Sequence, residues 1–366
     1  MTLQYLLSAA FSLRLVETLG HFLWQGTAVA MMVLLAWPLL RRVSSRGRYG
    51  ALLAAFGVMA ACPPVTFLLL KGVGDGSVNR ADGSAPGADV AAVRADSSAG
   101  YGYGAPGPAH ALPGQPGADG RNSGGGDGLG TLRLAYVQAV QPYAGPTAVV
   151  YFVGVGALLG RLLYGVGGGR RLRRSAEPIK SARVLDALAR QARALGLRMT
   201  PAAAWCGRVA TPVVIGTLRP VILLPLALAT ELSAAQVEAI LAHELAHIRR
   251  YDHVVNVLQG LIEAFLFFHP AVWLVSARLR EERENCCDDA VLAAGGDAHA
   301  YAEALVCVAE LARQTANMSG SFIGGNVALA ATGRPSRLRA RVQRILGLGG
   351  RERFCAGPSG MAVIAA

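Results

Sequence analysis

His243-Glu244-Leu245-Ala246-His247 is the stretch from which the rest of this chain is read. Residues four apart share one face of an α-helix, so the two histidines can present imidazole nitrogens to one tetrahedral metal, with Glu244 beside the open fourth position. This is the H-E-x-x-H arrangement of zinc hydrolases. The flanking residues supply the helix that the spacing needs. Ser233, with Gln236 three residues on, predicts a capping box, and Ile240, His243, Glu244 and His247 then fall on one stripe.

Upstream of that helix, residues 179–195 read as an amphipathic helix. Ala202–Cys206, Val213–Ile215 and Val221–Leu224 read as short strands, punctuated by Gly216 and Pro220. Downstream, Val254–Ser276 carries a single charge, Glu263, and is apolar enough to suggest a further membrane span. The best third metal ligand argues against that reading. Glu284 and Asp288 stand i, i+4 on a helix expected from about Ala277 to Ala294, and a crossing at 254–276 would put them across a ~30 Å barrier from His243 and His247. We therefore expect 254–276 to be an apolar helix packed in the domain or dipping into the membrane surface. It should break at His269-Pro270, with polar partners for Glu263 and His269.

The chain is 53% hydrophobic and only 16% charged, too apolar for an ordinary soluble domain, which implies several membrane segments beside one domain. Residues 1–18 read as a short amphipathic lead. Leu19–Leu40 and Tyr49–Leu70 are long enough to span, and the basic loop between them (Arg41, Arg42, Arg46, Arg48) marks the cytoplasmic side. Residues 73–144 turn to Gly, Ala, Pro, Asp and Ser, which bury too little apolar surface to offset their ordering entropy, so an extracytoplasmic disordered loop is expected. A third span, Gly145–Val166, ends in Arg170, Arg171, Arg173 and Arg174, which places the remainder in the cytoplasm. The net charge of +12 raises the question of nucleic acid. No aromatic interleaving or helix-turn-helix pattern accompanies the arginines, so Arg249-Arg250 and the run Arg337, Arg339, Arg341, Arg344 are expected to form a solvated or lipid-facing surface. The six cysteines show no C-x-x-C spacing, and adjacent Cys286 and Cys287 read as small buried residues.

Taken together, "TPVVIGTLRPVILLP", "LSAAQVEAILAHELAHIRRYDHVVN", "FFHPAVW", "REERENCCDDAV" and "HFLWQG" at His21–Gly26 make the chain similar to the M56 peptidase family. These are membrane-embedded metallopeptidases that include the protease module of the BlaR/MecR signal transducers. A more distant resemblance is to the M48 membrane proteases. The M56 resemblance implies that His243, His247 and Glu284 bind one Zn2+ per chain. It makes Glu244 the general base, and Asp288 the carboxylate that orients a ligand histidine through its other ring nitrogen. His253 and His269 are auxiliary candidates for oxyanion stabilisation. The strand at Val213–Ile215 is a candidate for pairing with an extended peptide. The transducers' fourth membrane helix and extracellular sensor are not expected after the protease, since Gly360–Ala366 is too short to span and no Ser-x-x-Lys motif follows.

The expected architecture is thus mainly α: polytopic membrane helices plus a cytoplasmic gluzincin-like α+β zinc metalloprotease domain with a small sheet. It divides into a lead and two spans (1–72), a loop (73–144), a third span (145–169), the protease domain (170–348) and a tail (349–366). The expected partners are the lipid bilayer of a bacterial-type inner membrane and a protein substrate such as a cytoplasmic repressor. A homodimer is open, and no direct nucleic-acid binding is expected. The rival functions are a membrane quality-control protease and a non-catalytic signalling scaffold.

Overall fold

The computed structural model describes residues 9–70, 128–216, 219–319 and 335–348. Among these residues, three helices are long and apolar enough to cross a membrane: α1 (Ala9–Leu40), α2 (Ser45–Leu69) and α3 (Gly128–Arg174). Ser44 caps α2 by accepting from the Gly47 amide. The expected separate lead is corrected in part: residues 9–18 continue α1. Arg14 donates to the Phe67 carbonyl at 2.6 and 3.1 Å and lies over the Phe67 ring, which ties this turn to the far end of α2. The expected disordered loop also ends early, because α3 starts at Gly128 instead of Gly145. From Leu129 onward Leu, Ala, Val and Tyr return, and the helix runs through Pro142 and Pro146, which long apolar helices tolerate. Residues 71–127 and the expected tail 349–366 lie outside the described residues.

After α3 the chain forms a small mixed sheet of four strands: β1 (Glu177–Pro178), β2 (Ala202–Cys206), β3 (Val213–Ile215) and β4 (Val221–Pro225), in the order β1-β2-β4-β3. The β2–β4 pairing is parallel and β3 pairs antiparallel with β4, leaving β3 at an edge. Helix α4 (Ala182–Ala194) lies between β1 and β2 in sequence. A one-turn helix, α5 (Leu228–Glu231), leads into α6 (Ala234–Arg249), whose capping box forms as expected, with both the Gln236 N–H to Ser233 Oγ bond and its reciprocal. Leu188, Ile222, Leu224, Leu241 and Leu245 are buried in one apolar core that joins the sheet to α4 and α6.

The apolar stretch 254–276 is a hairpin of two helices, α7 (Asp252–Phe265) and α8 (Pro270–Ala293), broken at Leu266–His269 as expected. Helix α8 begins seven residues ahead of the expected Ala277, because Pro270 sits at its first position and the His269 ring accepts from the Ala271 amide. Helix α8 packs on α1 and α2, and α7 packs on α3. Both polar residues find partners. The His269 Nε2–H donates to the Leu23 carbonyl at 2.9 Å, and the Glu263 carboxylate takes Arg280 at 2.5 Å and the Ser276 hydroxyl. Two further helices, α9 (Ala298–Ser319) and α10 (Pro335–Ile345), close over the far side of α6 and α8.

Candidate metal centre

Helix α6 carries His243, Glu244 and His247 on its buried stripe, and α8 brings Glu284 against it. The His243 and His247 Nε2 atoms are 3.2 Å apart, and the Glu284 carboxylate oxygens lie 3.5 Å from the first and 3.8 Å from the second. Metal–ligand bonds of about 2.0–2.2 Å in tetrahedral array set their donors about 3.3–3.6 Å apart, so this nitrogen, nitrogen, oxygen set fits a zinc-sized ion. Glu244, next to His243 in the chain, is buried as well.

Each histidine is held from behind. The His247 Nδ1–H donates to Asp252 Oδ2 at 2.9 Å. His243 is held through a relay: Tyr301 on α9 donates its hydroxyl proton to Asp288 Oδ1 at 2.6 Å, and its oxygen accepts from His243 Nδ1–H at 2.8 Å. Both Nε2 atoms therefore face the site. Arg341 on α10 grips Asp288 through Nε at 3.0 Å and Nη2 at 2.7 Å, and its Nη1 stands 3.2 Å from Glu284 Oε2. Arg344 adds bonds to Asp288, to Asp289 and to the Asn285 carbonyl. The Cys287 sulfur lies 3.3 Å from His247 Nδ1 and 3.5 Å from Asp252 Oδ2.

The electrostatics follow from these contacts. Burial disfavours the charged form of Glu284, but Arg341 and the two histidines outweigh it and hold its carboxyl well below the usual carboxylate range. Asp288 is lowered in the same way, with burial opposed chiefly by Arg341. Burial also opposes the imidazolium of His247, yet Cys287, Asp252 and Glu284 prevail and lift it well above the ordinary histidine value. Burial pushes the Cys287 thiol up to about 11, opposed by its contact with His247.

Of the residues singled out in the sequence, the fold brings His243, His247 and Glu284 together, with Asp288 reaching His243 through Tyr301 and standing 3.7 Å from its Nδ1. The auxiliary histidines lie elsewhere. His269 is bonded to α1 at the hairpin tip, and His253 sits on the first turn of α7 beside the Tyr251 ring. The expected arginine surface is corrected in part: Arg249 and Arg339 are exposed, but Arg341 and Arg344 bind Asp288, Arg337 pairs with Glu281 at 3.0 Å, and Arg250 pairs with Asp252 and covers the Tyr49 ring. Sequence reasoning missed Asp252, Tyr301 and Arg341. Asp252 lies five residues after His247, a spacing that points away from it on a continuous helix. It returns only because Tyr251 adopts a left-handed φ of 56° and ends α6.

Membrane helices around a His, His, Glu donor set define a metallopeptidase-type membrane protein. Residues 138–341, more than half of the chain, match the model of the family described as BlaR1 peptidase M56, and the chain belongs to that family. It is similar to Regulatory protein BlaR1 of Bacillus licheniformis, 36% identical over 84 residues, which is 23% of this chain and 14% of that protein. It is also similar to the Methicillin resistance mecR1 proteins of Staphylococcus aureus and Staphylococcus epidermidis, 26% identical over 88 residues, 24% of this chain and 15% of each relative. The chain thus spans a small part of the curated relatives that it matches.

Proposed function

We propose that the chain is a zinc-dependent endopeptidase, with residues 170–348 as its protease domain facing the cytoplasm from a bacterial-type inner membrane. His243, His247 and Glu284 hold one zinc ion, which when bound polarises a peptide carbonyl and brings the pKa of a water to about 7. Glu244 takes the proton from the attacking water at its carboxylate and passes it to the departing amide nitrogen. Asp252 directly, and Asp288 through Tyr301, fix both imidazoles in the Nδ1–H tautomer. Edge strand β3 supports strand addition by an extended peptide, and Val214→Pro should slow cleavage of such a substrate. The substrate is a cytoplasmic or membrane protein cut in regulated proteolysis, such as a repressor inactivated by cleavage.

The observation that carries this reading is the spacing of three donor atoms within 4.8 Å of one another, with both histidines backed on their other nitrogens. The test is zinc content and cleavage by detergent-purified protein. About one zinc per chain is expected, kept in Glu244→Ala and weakened in Glu284→Ala, with autocleavage or casein cleavage lost in both. Absence of zinc from the wild type, or full cleavage by Glu244→Ala, would overturn it and favour a non-catalytic scaffold.

A further inference from the structure

The three spans share a basic end: α1 runs into Arg41 and Arg42, α2 starts beside Arg46 and Arg48, and α3 finishes in Arg170–Arg174. The mouth of the α7–α8 hairpin sits at this level. Arg250, just before α7, covers the ring of Tyr49 near the start of α2, and Glu282 on α8 pairs with Arg48 at 2.9 Å. The tip lies far from it. His269 is bonded to the Leu23 carbonyl, and its ring lies where a Cβ on Gly26 would fall, 2.8 Å from Nε2. Gly26 is fourteen residues, about 21 Å, from the basic end of α1. On α3 the Phe267 ring fills the space beside Gly154, where a Cβ would stand 2.5 Å from it, and the Tyr151 hydroxyl donates to the Phe265 carbonyl. Gly154 is sixteen residues, about 24 Å, from Arg170. Two independent helices therefore place the tip at one depth.

The hairpin's outer face matches that depth. On α7, Val254, Val257, Leu258, Leu261 and Phe265 are exposed, with Asn256 the polar exception, while Gln259 is buried toward α8. Its polar groups are satisfied inward: Gln259 donates to the Ser276 carbonyl and accepts from Arg283, and Glu263 pairs with Arg280. Helix α3, on which α7 packs, likewise exposes Val150 and Val153, and α1 exposes Met32 and Leu35.

We infer that α7 and the first half of α8 form a re-entrant hairpin that enters the bilayer from the basic end of the three spans, turns at Leu266–His269 about three quarters of the way through a ~30 Å core, and meets acyl chains along the outer face of α7. The occupant of that face is lipid, because helical backbone at such depth is self-satisfied and every charge on the hairpin is paired within the protein or lies near its mouth. The inference does not depend on zinc or on catalysis.

The test uses the full chain in phosphatidylcholine/phosphatidylglycerol vesicles and a water-soluble maleimide, with wild-type labelling subtracted. Leu258→Cys, Leu261→Cys and Phe265→Cys should each label at least tenfold more slowly than Met199→Cys, an 83% exposed control outside the spans, and should reach its rate in SDS. The pair Gly154→Cys/Phe267→Cys, separated by the length of the lost ring, should be joined by a short membrane-permeant bifunctional thiol crosslinker. Labelling within tenfold of the control at any of the three positions would overturn the inference. Protection without the crosslink would overturn it too, since that pattern belongs to a helix lying flat on the membrane surface.

Discussion

The first ten residues of α8 and its last fourteen are held by different means. Val272, Val275 and Leu279 are almost wholly buried among Phe22, Leu52, Phe56 and Met59 of the membrane helices. Beyond Leu279, Cys287, Ala290 and Val291 still pack into the domain core, but a dense set of ionic contacts is added. Glu282 meets Arg48, Asp289 meets Ser45 and Arg344, and Asp288 meets Tyr301, Arg341 and Arg344. One unbroken helix thus joins an apolar bundle to the donor set, so Glu284 is placed by packing two turns away as well as by its own neighbours. Apolar contacts of the first kind fix position through shape, and contacts of the second kind fix which atom faces which.

The comparison breaks most severely at Asp288. Asp288→Ala removes the shared acceptor of Tyr301, Arg341 and Arg344 and leaves Arg341 with Glu284 alone and Arg344 with Asp289 and the Asn285 carbonyl, a change that costs about 3 kcal/mol. Denaturant unfolding in detergent should show that loss, and chelator competition should show zinc released more readily. Acid should reproduce part of it in the wild type. The Asp288 carboxyl lies below its ordinary value of 3.8 in the folded state, so the stability it contributes is present above that value and is lost as pH falls through the lower, folded one. A melting temperature independent of pH in that acid window would contradict this assignment.

Next in size is Leu279→Ala, in the apolar half. Its side chain is fully buried, and the loss should be about 2–3 kcal/mol of packing, toward the low end for such truncations because lipid offers no hydrophobic drive for the bundle to regain. Zinc stoichiometry should stay unchanged in this variant. If zinc falls together with stability, the two halves of α8 are less independent than their contacts suggest.

What the sequence made legible tracks this same division. The helix of His243 and His247, its capping box, the three apolar spans and the strands at 202–206 and 213–215 all announce themselves through periodicity, caps or length, which are local signals. Hydropathy found the run at 254–276, and the need to return Glu284 to the side of His243 excluded a simple crossing. Neither carries information on depth, which resides in the contacts of Gly26 and Gly154 with the hairpin tip. Tyr301 and Arg341 were invisible for a related reason. They reach the site from helices 58 and 53 residues away from their partners His243 and Asp288, and an arginine-rich helix reads the same whether its guanidinia face lipid or a buried carboxylate.

The smallest effects compare the two ways of holding a histidine. Asp252→Asn keeps the shape but removes the anion bonded to His247, and zinc affinity should fall about 10- to 100-fold. Tyr301→Phe removes only a neutral hydroxyl between His243 and Asp288, with the carboxylate still 3.7 Å from the ring nitrogen. Asp288 keeps Arg341, so no charge is orphaned, and the expected cost is about 1 kcal/mol, roughly fivefold in zinc affinity. Competition with a calibrated chelator at fixed pH resolves both values. If Tyr301→Phe proves as damaging as Asp252→Asn, the relay does more than orient His243, and the hydroxyl proton shared with Asp288 must set the basicity of that imidazole. If it is silent, Asp288 can close the 3.7 Å gap itself, and Tyr301 serves packing alone.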